Sequence, residues 1–177
     1  LKKKYIKNFI IFNNYKNLDG IFKNKIDYVM SSISGIGGLQ PTLDIIKHTK
    51  KIAIANKESI ICGWNLLNKK MKLHKTEFVP IDSEHFSINE LIRNTDKKNI
   101  EKIYITASGG PFLKKKLTSF NKIKVSNAIK HPTWKMGKKI SIDSSTLINK
   151  VYELVEAKKI FDLDYSKFDI LIQPTSY

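Results

Sequence analysis

Apolar residues fall in short runs separated by polar and glycine-bearing stretches, and their spacing switches repeatedly between strand and helix. Phe9-Ile10-Ile11-Phe12 predicts a short strand, and Asn17-Leu18-Asp19-Gly20 a turn. Ile26 to Met30 predicts a buried strand that runs into Ser31-Ser32-Ile33-Ser34-Gly35-Ile36-Gly37-Gly38. A helix follows from about Leu39 to His48, with Pro41 tolerated in its first turn. Lys51 to Ala55 gives the next strand, and Asn56-Lys57-Glu58-Ser59 opens the helix after it. Thr76 to Val79 and Ile100 to Thr106 give a third and a fourth strand, and Phe168 to Ile172 is strand-like again. Ser87 to Ile92 suggests a helix. In a later one, Leu147, Ile148, Val151, Leu154 and Val155 recur as a core-facing stripe, with Asp143 and Ser144 as N-cap candidates. Strands alternating with helices predict an α/β fold with a mostly parallel, layered sheet.

Ligands of such sheets sit beyond the carboxyl ends of the strands. Three chemically suggestive segments fall there: Asn56-Lys57-Glu58, Asp82-Ser83-Glu84, and Ala107-Ser108-Gly109-Gly110-Pro111. Asp82 and Glu84, two residues apart, would project to one side of a strand end and make half a site for a hard cation such as Mg²⁺ or Mn²⁺. A third carboxylate is then needed, and Glu153 is the candidate. The plainer reading is that Asp82 and Ser83 cap a helix with Glu84 in its first turn. Ser108-Gly109-Gly110-Pro111 suits a phosphate cradle or an ordinary loop, and Lys57 suits anion steering or plain solvation.

On the later helix, Asn149, Lys150 and Glu153 share one patch, and Ser144, placed near its start, would favour an anion. The plain alternative is a solvated Lys150–Glu153 pair. His131-Pro132-Thr133-Trp134-Lys135-Met136-Gly137-Lys138-Lys139 mixes Pro, Gly, His and Trp in a way that suits a lid closing over a ligand, or else a packed Trp134 with a surface His131.

Charge adds one question. The chain carries 32 Lys+Arg against 16 Asp+Glu, a net +16, which attracts phosphates and raises the possibility of nucleic acid. Arg93 is the sole arginine, and the lysines are spread along the chain instead of forming a basic arm with interleaved aromatics, so coding bias explains them better. Cys62 is alone, which rules out a disulfide framework within the chain and fits a reducing compartment. No apolar run approaches the length of a membrane span. The ends, Leu1 and Gln173-Pro174-Thr175-Ser176-Tyr177, suggest an internal piece of a longer protein.

Taken together, five segments in order resemble the 1-deoxy-D-xylulose 5-phosphate reductoisomerase family. They are Ala55-Asn56-Lys57-Glu58-Ser59, Pro80-Ile81-Asp82-Ser83-Glu84-His85, Ser108-Gly109-Gly110-Pro111-Phe112, His131 through Ser141, and Asp143-Ser144 through Asn149-Lys150 to Glu153. The resemblance implies the back half of a Rossmann-like NADPH domain over residues 1–81, followed by an α+β catalytic domain over 82–177 with a flexible lid at about 108–139. It implies NADPH- and metal-dependent isomerisation and reduction of 1-deoxy-D-xylulose 5-phosphate to 2-C-methyl-D-erythritol 4-phosphate in isoprenoid biosynthesis. Asp82, Glu84 and Glu153 would hold one Mg²⁺ or Mn²⁺. Lys57, Ser83, Glu84, Asn149, Lys150 and Glu153 would face the substrate, with Ser108, Ser144 and His131 around its phosphate. Lys57 would join the three carboxylates in catalysis. Asn56, Glu58 and Gly137 would touch NADPH, and Trp134 and Met136 would lie on the lid. A homodimer in a bacterial cytoplasm or a plastid is implied, with no nucleic-acid or membrane partner.

Departures from the family pattern are Val151-Tyr152 in place of Gly-Leu, Gln173 in place of His, and Asn89-Glu90 in place of an aromatic-Gln pair. The Gly-rich dinucleotide turn and the later helical domain of the family are absent from these residues, so the isolated segment is expected to be inactive. Two alternatives stay open: another NAD(P)-dependent sugar dehydrogenase, which would not need a metal, and a basic nucleic-acid-binding module.

Overall fold

Ile52, Ala53 and Ile54 are almost completely buried, as the central strand of a parallel sheet requires. The computed structural model describes residues 17–130 and 137–175. They form two compact units, one of residues up to 59 with 65–79, the other of 60–64 with residues from 80 onward. The predicted strand at Phe9–Phe12 lies outside the described residues.

In the first unit the elements are α1 (Leu18–Ile21), β1 (Ile26–Ser31), α2 (Leu39–Ile45), β2 (Thr49–Ile54), α3 (Lys57–His74, except residues 60–64) and β3 (Glu77–Val79). The three strands pair in parallel in the order β1-β2-β3, with Ile52 beside Val29 on one side and Phe78 on the other. Asn17, expected in a turn, caps the single turn of α1 by accepting from the Gly20 N–H at 3.1 Å. The helix predicted to reach His48 tightens into a 3₁₀ turn over Ile46–His48. α3 begins at the Asn56 cap and ends at Lys75 in the left-handed conformation, φ 51°. Its last turn carries Lys72 and His74, and the Lys72 charge complements the helix dipole.

In the second unit the elements are α4 (Ser83–Ile92), β4 (Ile103–Ala107), α5 (Val125–Ala128), α6 (Lys138–Ser145), α7 (Ile148–Phe161) and β5 (Phe168–Ile172). All strand pairs are parallel as expected, but the fourth strand does not join the first three. It pairs with β5 in a separate sheet, Ile105 opposite Ile170. β4 also starts later than its apolar run suggests. Asp96 caps a 3₁₀ turn over Lys97–Asn99, and Ile100 enters the core from there. That core is built of Ile88, Ile100, Ile105, Ala157, Phe161, Leu163 and Phe168.

Of the two readings of the acidic segment, the plainer one holds: Asp82 caps α4, which begins at Ser83 with Glu84 in its first turn. The acidic segment is therefore a helix N-terminus and not a strand end. Asp143 and Ser144 do not cap α7 but lie in the last turn of α6, and Leu147, at φ 62°, makes the break between the two helices. Ser144 consequently has no helix N-terminus to help it hold an anion.

Candidate active site

The N-terminus of α4 and the buried face of α7 build the site. Asp82 takes the cap position, its carboxylate accepting from the Ser83 N–H at 3.0 Å. This leaves Glu84 in the first turn, where the Ser83 hydroxyl donates to it at 2.7 Å. On α7, residues 150, 153 and 156 recur every three positions and are all buried charged groups. The Lys150 ammonium reaches across to Glu84 at 3.0 Å and along its own helix to Glu153 at 2.5 Å. Asn149 donates its amide to the other Glu153 oxygen at 2.6 Å. Residues predicted from distant parts of the chain, Ser83, Glu84, Asn149, Lys150 and Glu153, thus come together around one ammonium.

Charge is not balanced there. Burial, followed by the Glu84 charge, pushes Glu153 up to about 7 against the pull of Lys150, and Asp82 adds to the push. Burial works to raise Glu84 as well, but the Lys150 ammonium and the Ser83 hydroxyl overcome it and hold the carboxyl below the usual range. Lys150 is held above the usual ammonium value, since Glu153 and Glu84 outweigh its burial. Two carboxylates share one ammonium with a third nearby, so the pocket has a surplus of oxygen donors and of negative charge. This is the donor set that Mg²⁺ or Mn²⁺ selects.

The second unit brings a further pair of predicted segments together. After β4, Gly109 and Gly110 take φ of +91° and +68°, and a Cβ on Gly110 would stand 2.7 Å from the Ser144 carbonyl oxygen. Only glycine permits both the backbone angle and this approach. The loop holding Ser108 thereby packs against the end of α6 that holds Ser144. Gly137 caps α6, and its carbonyl accepts from the Ser141 N–H at 3.0 Å. Asn56, Lys57 and Glu58 open α3 at the end of β2 in the first unit. His131, Trp134 and Met136 lie outside the described residues.

Two participants carried no role in the sequence reading. His85 is 1% exposed, and its Nε2 donates to the Glu153 backbone carbonyl at 3.0 Å, joining α4 to α7. Glu156 is equally buried. Among the described residues, Asp82, His85 and Glu156 place donor atoms within 4.8 Å of one another, a grouping that shares only Asp82 with the expected metal ligands. The three-residue step from Lys150 to Glu153 was legible; its continuation to Glu156 and the bond between a histidine and a distant carbonyl were not read.

Comparison with known proteins gives a consistent result. A family model described as 1-deoxy-D-xylulose 5-phosphate reductoisomerase matches residues 1–63, and one described as the C-terminal domain of that enzyme matches residues 78–161. The chain is 63% identical over 169 residues to the 1-deoxy-D-xylulose 5-phosphate reductoisomerase of Pelagibacter ubique, covering 94% of this chain and 44% of that one. It is 42% identical over 176 residues to the enzyme of Thermoanaerobacter pseudethanolicus, covering 99% of this chain and 46% of the relative. The chain therefore spans less than half the length of these relatives. Among solved structures, it resembles a reductoisomerase in complex with NADPH, fosmidomycin and magnesium, with 40% identity and a TM-score of 0.74 over 85% of this chain and 40% of that one. It also resembles the Zymomonas mobilis enzyme in complex with NADPH, with 38% identity and a TM-score of 0.76 over 85% of this chain and 38% of that one.

Proposed function

Since the chain belongs to the 1-deoxy-D-xylulose 5-phosphate reductoisomerase family, we propose that the protein as a whole converts 1-deoxy-D-xylulose 5-phosphate to 2-C-methyl-D-erythritol 4-phosphate with NADPH and one divalent cation. The observation that carries this reading is the meeting of Glu84 and Glu153, from separate helices, on the Lys150 ammonium. Asp82, Glu84 and Glu153 would hold the Mg²⁺ or Mn²⁺ ion. When bound, the ion supplies Lewis-acid polarisation of the substrate's carbonyl and adjacent hydroxyl oxygens, and NADPH supplies the hydride for the reduction.

The residues of this chain bind and orient. Lys150 and Asn149, already fixed on Glu153, present an ammonium and an amide to the substrate's oxygens, and the Ser83 hydroxyl adds a donor from α4. Lys57 contributes a second ammonium. At the phosphate end, Ser108 and Ser144 offer hydroxyls on the glycine loop and the end of α6, and His131 adds a third group. Binding the phosphate away from the reacting carbons supplies positioning energy. Glu58, Gly137 and Asn56 serve NADPH. In this reading residues 1–81 complete the cofactor domain and 82–177 form most of the catalytic domain. Among the described residues, no helix is long and apolar enough to cross a membrane. We place the whole protein, as a homodimer, in a bacterial cytoplasm or a plastid.

The test is turnover. Given 1-deoxy-D-xylulose 5-phosphate and Mg²⁺ or Mn²⁺, the whole protein oxidises NADPH, chelation abolishes this, and Asp82→Asn cripples it. Full activity after exhaustive chelation would favour a metal-free dehydrogenase instead.

A further inference from the structure

The Asn56 side chain is assigned to the cofactor by resemblance, yet its carboxamide is already committed inside the protein. One N–H donates to the Ile33 carbonyl and the other to the Gly35 carbonyl at 2.8 Å. The amide oxygen accepts from the Ser59 N–H at 2.7 Å, capping α3. The residue is 3% exposed. An amide whose two hydrogens are both spent and whose body is buried has no donor to offer a ligand.

What it holds is the turn that follows β1. Gly35 has φ +75°, an angle that glycine alone adopts without strain. Gly38 donates its N–H back to the Gly35 carbonyl at 3.1 Å. A Cβ on Gly38 would stand 2.6 Å from Asn56 Nδ2, so the turn closes directly on the amide. A second buried brace grips its two ends. The fully buried Thr42 donates its hydroxyl to the Gly38 carbonyl at 2.6 Å. Its proton being spent, Thr42 accepts from the Ser31 hydroxyl at 2.5 Å. Between these braces the outer surface is open: Ile33 and Ile36 are exposed, and a Cβ on Gly37 would meet nothing within 4 Å. The turn stands at the carboxyl end of β1, where parallel sheets bind their ligands.

We propose that Asn56 is a positioning residue whose amide holds the Ile33–Gly38 turn in shape, and that the turn's outer surface, not the Asn56 side chain, meets NADPH. This rests on the reductoisomerase reading above. Asn56→Asp keeps the cap on Ser59 but loses both donors. Gly38→Ala keeps the Asn56 amide but presses a Cβ on the Ile33 carbonyl and on Asn56 Nδ2, so it deforms the turn from within.

The experiment uses the whole protein and two readouts. The first is amide hydrogen exchange over residues 32–38 without ligand, and the second is NADPH affinity by titration, with the steady-state KM for NADPH. Both variants are expected to speed exchange in the turn and to weaken NADPH at least tenfold, with a rise in KM larger than any fall in kcat. Unchanged exchange in Asn56→Asp alongside weakened NADPH would mean direct contact and overturn the proposal. NADPH affinity within twofold of wild type in either variant would overturn it as well. If Asn56→Asp does not fold, Gly38→Ala decides by the same outcomes. A wild-type protein that fails to bind NADPH at all would remove the functional reading itself, which separates the two failures.

Discussion

Lys150 is the residue on which the charge of the site turns. Its ammonium, nearly buried, is shared by Glu84 and Glu153. Removing it strands the buried Glu153 and leaves the partly exposed Glu84 without its counterion, and breaking a buried ion pair from one side costs about 3–5 kcal/mol. Lys150→Met is therefore expected to destabilise the metal-free protein by about that amount in urea unfolding, and adding Glu153→Gln is expected to recover part of the loss. An additive double variant would show that the two side chains do not interact. At this scale the sequence was informative about identity and less so about setting. The Asp82/Glu84 spacing flagged a carboxylate pair, and the three-residue step from Lys150 to Glu153 flagged a shared helical face. A strand and a helix N-terminus both follow naturally from Pro80-Ile81-Asp82, and only the observed bond from the Ser83 N–H decides for the helix. His85 was not legible because its partner, the Glu153 carbonyl, is sixty-eight positions away and belongs to the backbone.

The element that departs most from its sequence pattern is α7. Its apolar stripe, Leu147, Ile148, Val151, Leu154 and Val155, predicts one buried face. Of that stripe the structure packs Leu154 against the core, but the buried residues are Lys150, Glu153, Glu156, Ala157 and Phe161, while Val151 is 45% exposed. The reason lies in what the helix faces. Its first half closes the acidic site against α4, and its last turn reaches the core with Ile88, Ile105 and Phe168. A periodicity count weighs apolar residues alone and misses a face buried for its chemistry. Truncating the two faces separates the readings. Phe161→Ala is expected to cost about 3–5 kcal/mol, and Val151→Ala no more than about 0.5 kcal/mol, measured by urea unfolding. A larger loss for Val151→Ala would restore the apolar stripe as the packed face.

For the molecule as a whole, alternating strands and helices foretold parallel pairing, and every observed strand pair is parallel. The division into two sheets did not follow from the alternation, because β4 and β5 are separated by some sixty residues and nothing local marks them as partners; only the family resemblance implied separate domains over 1–81 and 82–177. The net charge of +16 also acts at this scale. Under the proposed function this chain's positive charge helps draw in two anionic ligands, so kcat/KM of the whole protein is expected to fall steadily as salt rises, since screening weakens long-range attraction. A salt-independent kcat/KM would assign the lysines no part in capture. The most direct measurement is Mn²⁺ binding to the whole protein, followed by electron paramagnetic resonance. Wild type should bind one ion per chain, and Glu153→Gln should weaken that binding at least tenfold while the protein stays folded. Unaltered Mn²⁺ affinity in Glu153→Gln would contradict the account.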